Sequence, residues 1–268
     1  MPADDAVDVR PTPQNLVAAR GFATLDSAGI LKALCTIRPY TGRDVETFCA
    51  SWESMPPDTD MADGGPPRRR RHAVYRVAPG GAIERLHHRP RVRTIDHDPL
   101  NGGGVRHVEP IADATNANPL MQGFLGLADQ IVCGLSPWTA WRVDAYQFRI
   151  TASANGGKPT PEGAHRDGVA YVLMALIDQR NVRGGETTIY DLSRNPLGSL
   201  NLKSPFETAI IDDERVYHGV SPIHACDPGQ AAYRDVLVLA FRRIPAEPRR
   251  PRPRKASKNK DRILWRTI

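Results

Sequence analysis

The spacing of apolar residues along this chain changes once, near residue 134. Before that point it is largely helical. Residues 12–20 predict a short helix closed by Gly21. Thr41 and Asp44 make a capping-box-like start, after which Val45, Phe48, Cys49 and Trp52 recur at i, i+3, i+4 and i+7. A longer helix is expected from about Asn118 to Cys133, with Asn118 as N-cap, Pro119 in the first position and Gly134 as the stop. Leu120, Phe124, Leu127 and Ile131 form its apolar stripe. Residues 72–77 and 82–87 alternate apolar with polar, as strands do. The stretch 54–71 (SMPPDTDMADGGPPRRRR) predicts an exposed connection, Arg68–Arg71 included.

After Gly134 the apolar runs are short and rich in Val, Ile, Tyr, Phe and Thr, at 140–151, 169–177, 185–190, 206–212 and 234–242. Turn signals separate them: NGGKPTPEG, RGG, NPLG and DPGQ. Helices followed by closely spaced strands predict a mainly β protein, a sandwich or jelly roll buttressed by helices. The βαβ alternation of a Rossmann fold is missing. The expected division is a helical and mixed region over 1–134, a β core over 135–245 and a basic, Pro-rich tail over 246–268.

The net charge of +6 changes this picture little, because residues 249–262 hold eight Lys or Arg against one Asp and leave the remainder slightly acidic. A basic tail reads as a solvated end before it reads as a nucleic-acid contact. No apolar run approaches the roughly 20 residues that span a bilayer. The N-terminal MPADDAVDVR lacks the apolar stretch of a secretory signal, so the cytoplasm is the expected location. Cys35, Cys49, Cys133 and Cys226 are scattered without a CxxC pair, which predicts buried, reduced thiols.

Candidate chemistry concentrates in PEGAHRDG. His165 and Asp167 are two apart, so in extended chain they point to one side. His218, in RVYHGVSPI, is the best third partner. Two His and one carboxylate on one face of an ion leave coordination positions open for a chelating 2-oxo acid and O₂. An HxD pair alone is weak evidence; Asp96-His97-Asp98, just before Pro99, reads as a polar turn. What distinguishes His165 and Asp167 is Arg234, 16 residues after His218 at the head of RDVLVLAF. Its planar fork suits the distal carboxylate of a 2-oxo diacid, the competing reading being an ion pair with Asp235. Gln147 and Arg149 share a parity on the strand 140–151, so either could meet the 1-carboxylate of the cosubstrate or a substrate carboxylate. Glu162 could meet a substrate ammonium. Ordinary cross-strand or solvated pairs compete for all three, while Glu186 and Tyr171 read as structural.

At these positions the chain resembles the bacterial 2-oxoglutarate/Fe(II) dioxygenases that include the L-isoleucine hydroxylases. The resemblance lies in PTPEGAHRDGVAYV (159–172), GGETTIYD (184–191), VYHGVSPI (216–223) and YRDVLVLAF (233–241). It implies a double-stranded β-helix, a cupin-like jelly roll, with His165, Asp167 and His218 on Fe(II) and Arg234 on 2-oxoglutarate. It also implies O₂-dependent hydroxylation of an unactivated C–H bond, coupled to decarboxylation of 2-oxoglutarate to succinate, with a free L-amino acid as substrate. Three alternatives stand beside this. One is a non-catalytic metal-binding cupin, in which Arg234 would have no task. Another is an oxygenase acting on a derivatised amino acid. The third is a nucleic-acid dioxygenase, but its RxxxxxR pair fails here, because the residue six after Arg234 is Ala240.

Overall fold

The computed structural model describes residues 11–57, 68–78, 81–92, 105–137, 140–152, 156–160 and 163–244. In chain order these form α1 (Pro13–Arg20), β1 (Phe22–Leu25), α2 (Ser27–Ile37), α3 (Gly42–Ala50), β2 (Arg68–Val77), β3 (Ile83–Arg85), β4 (Arg91–Val92) and β5 (Val105–Arg106). Then come α4 (Asp113–Ala117), α5 (Pro119–Leu135), β6 (Trp141–Thr151), β7 (Tyr171–Arg180), β8 (Val182–Gly184) and β9 (Thr187–Tyr190). The chain continues through β10 (Pro196–Leu200), β11 (Thr208–Asp212), β12 (Tyr217–Val220), β13 (Ile223–Ala225) and β14 (Tyr233–Arg243).

Local chemistry sets the helix ends. Thr41 and Asp44 close a reciprocal capping box on α3, and Gly21 ends α1 at φ 85°. Asn118 caps α5 by accepting a bond from the Leu120 amide, but the helix runs one residue past Gly134. That glycine serves close packing instead, since a Cβ there would meet Gln14 Cγ of α1 at 3.2 Å.

Seven antiparallel strands form the main sheet in the order β1-β11-β7-β14-β6-β2-β3. The first 134 residues therefore supply three strands to the sheet that the later residues build. One face of this sheet lies under the helices, where Leu237, Leu239, Val143 and Tyr75 pack with Phe48, Trp52 and Phe124. The other face, carrying Val172, Leu176, Ile211 and Ala240, looks toward a smaller sheet ordered β10-β9-β12. Two facing sheets make the jelly roll. Among the described residues no helix is long and apolar enough to cross a membrane.

Three expectations are corrected. Arg68–Arg71 is not loop but the first part of β2, paired with β6 from Arg68 to Val77. Its alternate residues Arg69 and Arg71 donate to the carbonyls of Glu53, Met55 and Ser54, so the basic run ties down the turn that follows α3. NPLG begins the edge strand β10, a place that tolerates proline because one side of its backbone is unpaired. The cysteines are free but not buried: Cys35 and Cys226 are exposed, and Cys49 and Cys133 half-buried. Cys35 falls on the outer side of α2, whose inward positions are taken by Ile30 and Leu34. Glu162, the Asp96–Asp98 turn and the basic tail lie outside the described residues.

Candidate metal centre

His218 lies on β12, opposite Ile189 of β9, and His165 forms a bridge with His218 through two backbone hydrogen bonds of 2.9 Å. Cross-strand partners share a face, so both imidazoles stand beside Ile189. Ile189 is fully buried and packs with Leu176 and Ile211 of the main sheet. The row therefore faces into the jelly roll. Asp167, two residues beyond His165, joins it.

The three ligand atoms lie within 4.8 Å of one another. His165 Nε2 is 3.7 Å from Asp167 Oδ1, and His218 Nε2 is 3.8 Å from Asp167 Oδ2. Those separations are too long for hydrogen bonds and short enough for one ion to touch every donor. His165 Nδ1 is 3.1 Å from Gly163 O; a carbonyl can only accept, so Nδ1 carries the proton and Nε2 presents its lone pair. Burial pushes the His218 pKa down to about 4, against the opposing pull of Asp167, so this ring is neutral near pH 7. Two neutral imidazoles and a carboxylate fit Fe(II).

Asp213 escaped the sequence reading. Buried to 1%, it accepts the amides of Asp167 (2.9 Å) and Val169 (3.0 Å) and thereby shapes the turn after His165. Burial, then the nearby Asp167 charge, pushes its pKa up to about 6. Gly168 completes that turn at φ 69°. Nothing in the pair Asp212-Asp213 told the sequence reader which carboxylate turns inward. His72 and Asp144 were also missed; they form a buried pair at 3.0 Å on the inner face of the main sheet.

Arg234 lies on that same inner face. It is 5% exposed, donates from Nη1 to Gly185 O at 3.0 Å, and meets no carboxylate among the described residues. Burial alone draws its pKa down to about 10. Gly185 has φ 76°, and a Cβ on it would stand 2.3 Å from Arg234 Nη1, so this glycine makes room for the guanidinium.

Gln147 and Arg149 share a face, as their spacing requires, but it is the face under the helices. Asp235 pairs with Arg149 and Leu237 with Gln147, while Arg234 pairs with Ile150 on the opposite side. Gln147 Nε2 donates to Ser51 Oγ at 2.8 Å. Arg149 grips Asp235 at 2.6 and 2.7 Å and Glu53 at 2.7 Å twice. Parity along a strand fixes which residues stand together, not which side faces the site. Both residues thus belong to the sheet–helix junction.

A jelly roll with an inward His–Asp–His cluster has the donor set of a mononuclear non-haem metal site. A family model described as 2OG-Fe dioxygenase matches residues 49–240, and the chain belongs to that family. The family uses Fe(II), 2-oxoglutarate and O₂. The crystal structure of a bsmA homologue from Methylobium petroleophilum PM1 is similar at 31% identity and TM-score 0.75, covering 86% of this chain and 92% of that one. IDO from Bacillus thuringiensis shares the fold at 17% identity and TM-score 0.71, covering 86% of this chain and 94% of its own. The 3(1)-hydroxy-L-isoleucine 4-dioxygenase of Pantoea ananatis (strain AJ13355) is 24% identical over 160 residues, which span 58% of this chain and 64% of that enzyme.

Proposed function

We propose that this chain is an Fe(II)- and 2-oxoglutarate-dependent dioxygenase that hydroxylates a C–H bond of a small substrate, a free L-amino acid. The observation that carries the reading is Arg234, a buried guanidinium without a carboxylate partner on the inner face that also looks onto the triad. A structural metal module has no need for such a group. Gly185, whose carbonyl accepts from Arg234, lies just before β9, the strand whose Ile189 is the partner of His218. The segment that meets Arg234 thus leads directly to the strand beside the triad.

In this reading His165, Asp167 and His218 hold the metal, and Arg234 fixes the far carboxylate of the cosubstrate with paired hydrogen bonds. Bound Fe(II) supplies the activation of O₂ and the coupling of cosubstrate decarboxylation to C–H oxidation. Asp213 holds the His165–Val169 turn, which keeps Asp167 turned inward. Val172, Met174, Val238 and Ala240 give the inner face an apolar floor that limits water. Beside them the stacked rings of Phe148, Tyr146 and His72, with centroids 5.3 and 4.7 Å apart, offer a wall for an aliphatic side chain. The amino-acid class is further supported by the activity named for the Pantoea relative.

The test is succinate formation from 2-oxoglutarate under air with Fe(II), screened over free L-amino acids beside Asp167→Ala. We expect iron-dependent turnover that one class of amino acid stimulates and the substitution abolishes. Bound iron with no succinate under any addition would sink the dioxygenase reading. Turnover that no amino acid stimulates would remove the substrate class alone.

A further inference from the structure

Arg194 sits in the turn joining β9 to β10, on the outer side of the small sheet. Its backbone is left-handed at φ 66°, one of three non-glycine residues with positive φ among those described. L side chains other than Asn and Asp rarely adopt that conformation, and Asn195 stands next in the chain. Asp191 accepts from the Asn195 amide at 2.8 Å and from Asn195 Nδ2 at 2.9 Å, so the turn is tied at its base. Arg194 is exposed, so core packing gives no reason for an arginine there.

The side chain makes two contacts. Nη1 donates to Ala164 O at 3.0 Å, and the guanidinium lies 4.4 Å from the ring centroid of Tyr217. Ala164 immediately precedes His165, and Tyr217 immediately precedes His218. Those two histidines stand side by side in one bridge with ring centroids 4.6 Å apart. From the outer face, a single side chain thus touches the neighbours of both inward imidazoles. The close approach of the two segments is visible at Gly219, where a Cβ would come within 3.1 Å of Ala164.

We propose that Arg194 is a positioning residue for the metal centre, a clamp that sets the spacing of His165 and His218 from behind the sheet. This rests on the reading of His165, Asp167 and His218 as metal ligands. The clamp acts by geometry and against charge: a cation beside a dication disfavours metal binding, so removing the charge alone would tighten it.

Arg194→Gly separates these effects, because glycine relaxes the left-handed backbone while deleting both contacts. The experiment titrates Co(II) into the full-length apoprotein, follows its visible absorption, and records the melting temperature of the apoprotein. We expect the Co(II) dissociation constant to rise about tenfold, the low end for residues that orient metal ligands. The ligand-field bands should change, and the apoprotein should melt no lower than the native chain. Native affinity and spectrum in Arg194→Gly would overturn the proposal. So would an affinity loss matched by an apoprotein that melts several degrees lower, since that is general destabilisation. Arg194→Lys, which keeps the charge but cannot cover the ring and hold the carbonyl together, is read by the same criteria if the glycine variant does not fold. Asp167→Ala run in parallel isolates the premise. If it binds Co(II) as the native chain does, the metal-site reading itself fails, whatever Arg194 does.

Discussion

Arg234 and Gly185 illustrate how narrow the tolerances are for single side chains. The guanidinium rests against the glycine, so Gly185→Ala would push it out of line without touching a metal ligand. That substitution should raise the KM for 2-oxoglutarate while leaving Co(II) affinity unchanged, as measured by steady-state kinetics and titration. Arg234→Gln should raise the same KM by about 10- to 100-fold, the equivalent of about 1.5–3 kcal/mol for hydrogen bonds to a charged group. Burial lowers the Arg234 pKa, but an arginine stays cationic across the working pH range, so the guanidinium remains charged and able to bind a carboxylate.

Elements are joined by a different arginine. Arg149 of β6 binds Asp235 of β14 and Glu53 after α3, and stacks 4.0 Å from the ring centroid of Tyr233. Burial acts to lower its pKa, but the hydrogen bonds to Asp235 and Glu53 outweigh it and raise the pKa, so the guanidinium stays charged. The Asp235 side chain is 1% exposed and the Glu53 side chain 63%. Nearly all the stabilisation therefore belongs to the Asp235 pair, because solvent screens the other. Arg149→Ala should cost about 3–5 kcal/mol in urea unfolding by leaving Asp235 buried and unpaired. Arg149→Met combined with Asp235→Leu should recover most of that. No recovery in the double variant would mean that the pair does more than neutralise a buried charge. Tyr233 and Asp235 flank Arg234, so this junction also fixes the head of β14 that carries the proposed anchor.

At the scale of the whole molecule, ligand binding must appear as stability, because a ligand that binds only the folded chain shifts the unfolding equilibrium by mass action. A ligand at about 100 times its Kd adds about 2.7 kcal/mol, which for a chain near this size is worth about 2–4 °C per kcal/mol. We expect Co(II) to raise the melting temperature, 2-oxoglutarate to add a large further rise with metal present, and only a small one without it. Arg234→Gln should abolish the second rise and keep the first. Equal 2-oxoglutarate shifts with and without metal would show that the diacid binds elsewhere.

Much of this was legible in the chain. The helix caps at Thr41, Asn118 and Gly21, and the strands near 140–151, 169–177 and 234–242, follow from local spacing and from residues whose preferences act within a few positions. HxD in an extended segment and a later His singled out three side chains whose ligand atoms folding brings within 4.8 Å of one another. Other features could not be read, because they depend on partners distant in sequence. Arg68–Arg71 became strand only because β6 pairs with it and because carbonyls of the turn after α3 accept from its alternate residues. Alternation put Gln147 with Arg149, but the packing of α3 and α5 decided that their side faces away from Arg234. Asp213 and Arg194 act on backbone groups of the 163–169 segment, and a carbonyl or amide carries no residue label for a sequence to advertise. What the sequence by itself determined was the identity of the reactive groups and the local elements that bear them. Which groups face inward, and what holds them there, was decided by sheet pairing, since only contact across strands distinguishes the two sides of a sheet.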